Sequence, residues 1–250
     1  MSNRVSREAL ILDRLAKDGA VSVADLSTDL GVSEVTIRTS LRSLEGKGFL
    51  ARNPGGAQGS SYQTVLERQR IRAQQKAQIG LAAASLVRDH DSLMVEAGTT
   101  AMMVMRSLGG RQGVQVVSNS ALAIPAGRLN PELRLVLCGG HFNHESESMV
   151  GSEAVNTVRQ YNCRLAFIGT DGFSAERGLT TQFSAGVDVI RAMHQQAEET
   201  WLLADSSKYG KAGFVKVLPL AEISGVITDR EISPLAVEEL RDLAIRVIIA

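Results

Sequence analysis

The chain has 250 residues, 44% of them hydrophobic and 22% charged, and its 27 basic and 27 acidic side chains cancel to a formal net charge of zero. That composition excludes a fibrous or disordered chain and leaves room for a sizeable core. Two cysteines, Cys138 and Cys163, exclude a disulfide scaffold, and the longest uncharged run, Gln112 to Gly127, is broken by Gln115, Ser118, Asn119 and Ser120, short of the ~18–20 apolar residues of a membrane helix.

The N-terminus carries Arg4, Arg7, Glu8, Asp13 and Arg14, which leaves no apolar signal stretch and predicts a cytoplasmic location. From Arg7 to Asp18 a stripe of Leu10, Ile11, Leu15 and Ala16 predicts a first helix that ends at Gly19. Val21-Ser22-Val23 suits a very short strand, and Ala24 to Leu30 a second helix stopped by Gly31. Ser33 is an N-cap for a third helix, in which Ile37, Leu41 and Leu44 recur on one edge and Val35, Arg38, Thr39 and Arg42 lie on the other. Phe49 to Arg52 then reads as a strand entering the turn Asn53-Pro54-Gly55-Gly56. These elements predict a winged helix-turn-helix over residues 1–57.

In such a fold the third helix enters the major groove of a double-stranded DNA operator. The residues expected there are Ser33, Val35, Thr36, Arg38, Thr39 and Arg42, with Arg52 on the backbone. Between Ser33 and Lys76, Arg38, Arg42, Lys47, Arg52, Arg68, Arg70, Arg72 and Lys76 face only Glu34, Glu45 and Glu67, so a neutral chain has a locally positive segment. Val32-Ser33, Thr36-Ile37-Arg38, Leu41, Leu44-Glu45, Gly48 and Gly55-Gly56-Ala57 resemble the helix-turn-helix signature of the DeoR/GlpR group of bacterial sugar-operon regulators.

Residues 58–88 read as a connector: Gln58 to Gln63 as a mobile linker, then Glu67 to Arg88 as one long helix with Ile71, Ile79, Ala83 and Leu86. Over 89–250, apolar runs alternate with helical stretches, predicting an α/β domain around a largely parallel sheet. Seven strands are expected: Leu93 to Val95, Val114 to Val117, Leu133 to Leu137, Leu165 to Ile168, Trp201 to Ala204, Val226 to Thr228 and Val247 to Ile249. Loops after five of them are small and polar, and ligands of open α/β sheets bind outside the carboxyl ends of the strands. The effector site is therefore expected at Glu96, Gly98, Thr99, Thr100, Asn119, Ser120, Gly139, Gly140, Asp171, Gly172 and Lys208. Gly98-Thr99-Thr100 opens a helix whose bare amides suit a phosphate, Lys208 supplies countercharge, and the polar side chains suit sugar hydroxyls.

No Gly-x-Gly-x-x-Gly follows a strand and no Gly-Lys-Ser/Thr occurs, so neither a dinucleotide nor ATP is expected, and no cofactor is assigned. His141-x-x-His144 with Glu145 and Glu147 resembles a metal cluster but lacks a third histidine, and no metal is assigned. Cys138 and Trp201 read as core, and His194 as exposed.

The same loops, with Val150-Gly151, Phe167-Ile168-Gly169, Asp205-Ser206-Ser207-Lys208 and Ile227-Thr228-Asp229, are similar to the family's sensor domain. That resemblance implies a fold related to ribose-phosphate isomerase and glucosamine-phosphate deaminase, and a phosphorylated sugar as effector. The expected function is a non-catalytic DNA-binding regulator, a repressor of a carbohydrate uptake or catabolism operon that its sugar phosphate releases. It is expected to act as a homo-oligomer, dimer or tetramer. Two alternatives stand beside it: an isomerase- or deaminase-like enzyme using Glu96, Asp171 and Lys208 as acid and base, and an activator of the same architecture.

Overall fold

The computed structural model describes residues 2–18, 20–46, 50–59 and 65–250, and the chain divides into two compact units, Met1–Arg68 and Gln69–Ala250. Met1, Gly19, Lys47, Gly48, Phe49 and residues 60–64 lie outside the described residues.

The first unit runs α1 (Ser2–Asp18), β1 (Ala20–Ser22), α2 (Val23–Leu30), α3 (Glu34–Gly46), β2 (Leu50–Asn53) and β3 (Gly56–Gly59), with its strands in the antiparallel order β1-β3-β2. Ser22 Oγ accepts from Asp25 N at 3.0 Å to open α2, and Gly31, at φ 62°, closes it. Ser33 Oγ opens α3 in the same way, accepting from Thr36 N at 3.3 Å. Ile37, Leu41 and Leu44 are buried with Ile11, Leu15, Val23, Leu26 and Leu50 in one core. Two expectations are corrected here. On α1 the core takes Leu12, while Leu10 is 52% exposed, because a helix turns about 100° per residue and only one neighbour of Ile11 can share its face. Gln58 and Gly59 belong to β3, paired with Ala20 and Leu50, rather than to a linker.

The chain continues through α4 (Val65–Arg70), α5 (Ala73–Ser85), β4 (Ser92–Val95), α6 (Ala101–Arg106), β5 (Gln115–Ser118), α7 (Ala123–Leu129) and β6 (Arg134–Leu137). Then come β7 (His141–Asn143), β8 (Ser148–Val150), α8 (Ser152–Val158), β9 (Cys163–Ile168), β10 (Gly172–Ser174), β11 (Gly178–Thr181) and α9 (Val187–Gln195). The last elements are β12 (Ala197–Leu203), β13 (Val215–Leu218), β14 (Gly225–Thr228), α10 (Pro234–Asp242) and β15 (Arg246–Ile249). The single helix expected from Glu67 to Arg88 is thus two, parted at Ile71 and Arg72, where Arg72 adopts φ 53°. A left-handed conformation costs a side-chain-bearing residue about 1–2 kcal/mol, so tertiary contacts must hold it.

All seven expected strands form one sheet in the order β15-β14-β12-β9-β4-β5-β6, and each neighbouring pair is parallel. Alternation along the strands feeds two cores. Leu93, Val95, Leu165 and Phe167 join Ile79, Ala83 and Met105 of the helices on one face, while Met94 and Ala166 join Val155, Val158 and Met193 on the other. Gly80 lets α5 and α6 approach: a Cβ there would run into Met103 Cβ. Two smaller antiparallel pieces, the hairpin β7–β8 and the sheet β10-β11-β13, were not anticipated. No described helix is long and apolar enough to cross a membrane.

Candidate functional site

The two units present two surfaces. On α3, Val35 is 74% exposed, and Arg38, Thr39 and Arg42 are exposed around it. Arg38 Nη2 lies 2.9 Å from Glu34 Oε2, a pair open to solvent on both sides and therefore easily exchanged. Arg42 makes no ion pair or hydrogen bond among the described residues. The Ser33, Thr36 and Thr39 hydroxyls are engaged locally: Ser33 Oγ and Thr36 Oγ1 are 2.9 Å apart, and Thr39 Oγ1 donates to Val35 O at 2.9 Å.

Arg52 Nε donates to Glu45 Oε2 at 2.6 Å and Arg52 N to Oε1 at 3.2 Å, which ties β2 to the end of α3. Those hydrogen bonds hold the Glu45 carboxyl below its ordinary value. Arg70, Arg72 and Lys76 fall in the second unit, so the local positive excess is smaller on the first than the sequence suggested: Arg38, Arg42, Lys47, Arg52 and Arg68 against Glu34, Glu45 and Glu67.

In the second unit the chain begins the sheet at β4, builds outward to β6, then returns to β4's other side with β9. That reversal is a topological switch point, the place where the ligand crevice of open α/β sheets lies. The loops after β4 and β9 pack closely there: an added Cβ on Gly98 or Gly169 would lie about 4 Å from the other's Cα, and Glu96 Oε2 accepts from Gly169 N at 3.1 Å. On the next loop Asn119, 2% exposed, accepts from Ala97 N at 3.0 Å through Oδ1 and donates to Met149 O at 3.2 Å through Nδ2. Ser120 is 1% exposed and its Oγ accepts from Leu122 N at 3.2 Å. Both side chains are spent on shaping the loop.

The remaining expected residues divide the same way. Asp171 Oδ2 accepts from Gln182 N at 2.8 Å and Thr181 Oγ1 at 3.1 Å, and a Cβ on Gly140 or Gly172 would strike the backbone of Val150 or Lys211. These three are scaffold. Gly139, by contrast, has nothing within 4 Å of an added Cβ. The amides of Thr99, Thr100 and Ala101 find no acceptor among the described residues, since the first helical bond runs from Met102 N to Gly98 O at 2.9 Å. The Thr99 and Thr100 hydroxyls and the Lys208 ammonium likewise make no hydrogen bond or ion pair among the described residues; Thr100 is 8% exposed and the other two are half-buried.

Lys208 ends a turn, Ser206–Lys208, that sequence reasoning placed correctly without its foundations. Asp205 Oδ1 accepts from Ser207 N at 3.1 Å and Ser207 Oγ at 2.5 Å, while Asp229 takes Ser206 N at 2.8 Å and Ser206 Oγ at 3.0 Å. Both carboxylates are buried and share Arg72, whose Nε is 3.1 Å from Asp205 Oδ1 and Nη2 3.2 Å from Asp229 Oδ1. Burial pushes the Asp229 carboxyl up, but hydrogen bonds from Ser206 and Glu231 and the Arg72 charge outweigh it and leave it below the ordinary value. Nothing local in the sequence marked Arg72, because its hydrogen-bond acceptors Ser206 and Asp229 lie 134 and 157 residues further on.

The tempting histidines sit elsewhere. His141 and His144 lie exposed on the β7–β8 hairpin, and the described residues form no group of three metal-ligating side chains. His194, expected at the surface, is half-buried with Nδ1 2.9 Å from Thr200 Oγ1. Trp201 is core, 2% exposed, with Nε1 donating to Glu199 Oε2 at 2.9 Å. Cys138 is buried, which pushes its thiol up to about 11, so it is no nucleophile.

Comparison with known proteins assigns a family to each unit. The DeoR-like helix-turn-helix domain model matches residues 7–63 and the DeoR C terminal sensor domain model residues 71–230. Among relatives, the lactose phosphotransferase system repressor of Lactococcus lactis is 30% identical over 95% of this chain and 95% of its own. The HTH-type transcriptional regulator GlpR of Haloferax volcanii is also 30% identical, over 97% of this chain and 96% of its own. Ribose 5-phosphate isomerase A of Methanocaldococcus jannaschii is a structural neighbour at 21% identity and TM-score 0.40, covering 54% of this chain and 53% of that one. With the sensor model alone spanning well over half its length, the chain belongs to the DeoR family of transcriptional regulators: a DNA-binding helix-turn-helix unit joined to a sensor unit.

Proposed function

We propose that the protein is a cytoplasmic, homo-oligomeric repressor of carbohydrate uptake or catabolism genes. It grips its operator through Val35, Arg38 and Arg42 and is released by a phosphorylated sugar bound at the carboxyl edge of the sensor sheet. The phosphate sits against the open amides of Thr99, Thr100 and Ala101, with Lys208 as countercharge and Gly139 leaving room for the sugar. The carrying observation is the switch point between β4 and β9. There, amides that have no acceptor among the described residues stand beside two glycines, in a crevice where the Glu96, Asn119 and Ser120 side chains already have partners.

A dimer is the minimal form, because one recognition helix reads one half-site and a palindromic operator needs two. The name of one relative, a lactose phosphotransferase system repressor, supports the assignment to sugar genes. The acid–base alternative loses its groups: Glu96 and Asp171 are held as backbone acceptors.

Fluorescence anisotropy of the purified chain on its own promoter region, at fixed salt, with and without a panel of hexose and pentose phosphates tests this reading. Tight, salt-sensitive binding abolished by one sugar phosphate is expected. Binding that no sugar phosphate alters would overturn the effector assignment.

A further inference from the structure

Nothing in the sequence from Val65 to Ile79 breaks a helix: the stretch has no glycine and no proline. Its Leu, Glu, Arg, Gln, Lys and Ala residues are strong helix formers. Yet α4 and α5 are separate, and between them Arg72 holds φ 53° and ψ 38°, left-handed and without a side-chain cap. A conformation of that kind persists only where its surroundings over-determine it.

The determinant is the guanidinium. Beside the ion pairs to Asp205 and Asp229, Arg72 Nη2 donates to Ser206 Oγ at 3.0 Å and lies 3.0 Å from Glu231 Oε2. The same two carboxylates cap the Ser206–Lys208 turn from below, so one arginine is joined to the turn through every group that shapes it. A buried arginine–carboxylate cluster adds little net stability over an apolar replacement, but it can select one conformation over another.

We propose that Arg72 is a positioning residue: its clasp on Asp205, Ser206 and Asp229 keeps α4 and α5 apart, and rearrangement of the Ser206–Lys208 turn releases it, so that residues 65–85 run as one helix. The two arrangements are discrete. In one, Arg72 is left-handed and clasped; in the other it is right-handed, its guanidinium is withdrawn, and the segment leading to the DNA-binding unit is straight. A coupling between two sites needs such a two-state element, biased by both. That an anionic effector moves the turn through Lys208 rests on the function proposed above; the helix break does not.

Amide hydrogen exchange on the full chain separates this role from a merely structural one. The amides of Ala73, Gln74 and Gln75 precede the first helical bond of α5, from Lys76 N to Arg72 O at 3.0 Å. In a continuous helix they would donate to Gln69, Arg70 and Ile71. Arg72→Ala should therefore slow their exchange at least tenfold while the Ser206–Lys208 amides exchange faster, and Arg72→Lys should restore part of the original pattern. Asp205→Asn, which loosens the turn and removes one of the two buried carboxylates paired with Arg72, should slow the same three amides. Should Arg72→Ala fail to fold because it strands buried carboxylates, Arg72→Ala with Asp229→Asn removes one charge of each sign and gives the same reading.

Exchange at Ala73–Gln75 as fast as, or faster than, in the unsubstituted chain would overturn the proposal. If the three amides slow as expected while no sugar phosphate changes operator binding, the clasp stands and the effector assignment falls.

Discussion

The recognition surface and the sensor crevice are both lined by residues that read as functional, but they use them differently. On α3 the outward edge is open: Val35 is exposed, Arg42 makes no hydrogen bond or ion pair among the described residues, and Arg38 holds a solvent-exposed glutamate. Along the sheet edge the polar side chains of Glu96, Asn119, Ser120 and Asp171 are consumed in holding the loops. Under the proposed function, ligand contact there falls to backbone amides, two threonines and a lysine. A DNA backbone can be met by mobile cations on a convex face, whereas a small anion needs donors already fixed in place, and fixing them takes other polar groups.

The sharpest way to break that contrast is to remove a scaffold residue. Asn119→Ala strands the Ala97 amide and the Met149 carbonyl in a buried site, which should cost about 2–5 kcal/mol of sensor stability. Urea unfolding followed by Trp201, the single tryptophan, reads the second unit directly. A loss below about 1 kcal/mol, the worth of an ordinary surface change or two, would show that Asn119 is held for the ligand after all.

Lys208→Ala tests the opposite class. Its ammonium has no internal partner among the described residues, so stability should move by less than about 0.5 kcal/mol. Affinity for the releasing sugar phosphate should fall by about 1.5–3 kcal/mol, the worth of a charge-assisted hydrogen bond. Calorimetric titration measures both affinity and stoichiometry, and unchanged affinity would remove Lys208 from the site. On the recognition surface, Arg42→Ala should cost about 1–3 kcal/mol of operator affinity and leave effector affinity untouched. Arg38→Ala should cost less, since Arg38 must give up its pair with Glu34 to meet a phosphate, and Glu34→Ala should strengthen operator binding slightly by removing a carboxylate from the phosphate field. Anisotropy titrations of the three variants rank them, and a reversed order of Arg38 and Arg42 would show that the Glu34 pair does not hold Arg38 back from DNA.

Much of this architecture was legible. The seven strands are apolar runs whose alternation feeds two faces, and the recognition helix follows from Ser33 and the spacing of Ile37, Leu41 and Leu44. The hairpin His141–Asn143 with Ser148–Val150 and the strand Gly172–Ser174 escaped because strands of three mixed residues carry no period to detect. In the crevice, sequence could mark polar residues after strands but could not tell Asn119, turned inward between two backbone groups, from Thr99, which is not. Arg72 was invisible for a stronger reason: its local sequence favours helix, and only partners on β12 and β14's loops override it.

The smallest expected effect separates the units by acid. Asp91 is pushed up by burial but held lower overall by Arg164 and the Arg88 amide, and Asp229 and Glu199 are likewise depressed against their burial by hydrogen bonds and by Arg72 and Arg246. The depressed carboxyl of the first unit, Glu45, is more than a third exposed and screened by water. A group whose folded value lies below its unfolded one stabilises the fold fully above the unfolded value, and that contribution disappears as pH falls through the folded one. The unfolded values are 3.8 for the aspartates and 4.5 for Glu199, so the Trp201-monitored melting midpoint should stay flat from neutral pH down to that range and fall below it. Midpoints, rather than intensities, must be compared, because Glu199 accepts from the indole nitrogen and its protonation alters emission directly. Added salt should soften the part of the fall owed to the exposed Arg246–Glu199 pair and leave the part owed to Asp229, enclosed with Arg72, nearly unchanged. A midpoint that began to fall well above the ordinary carboxylate range would mean that groups other than these three control the acid limb.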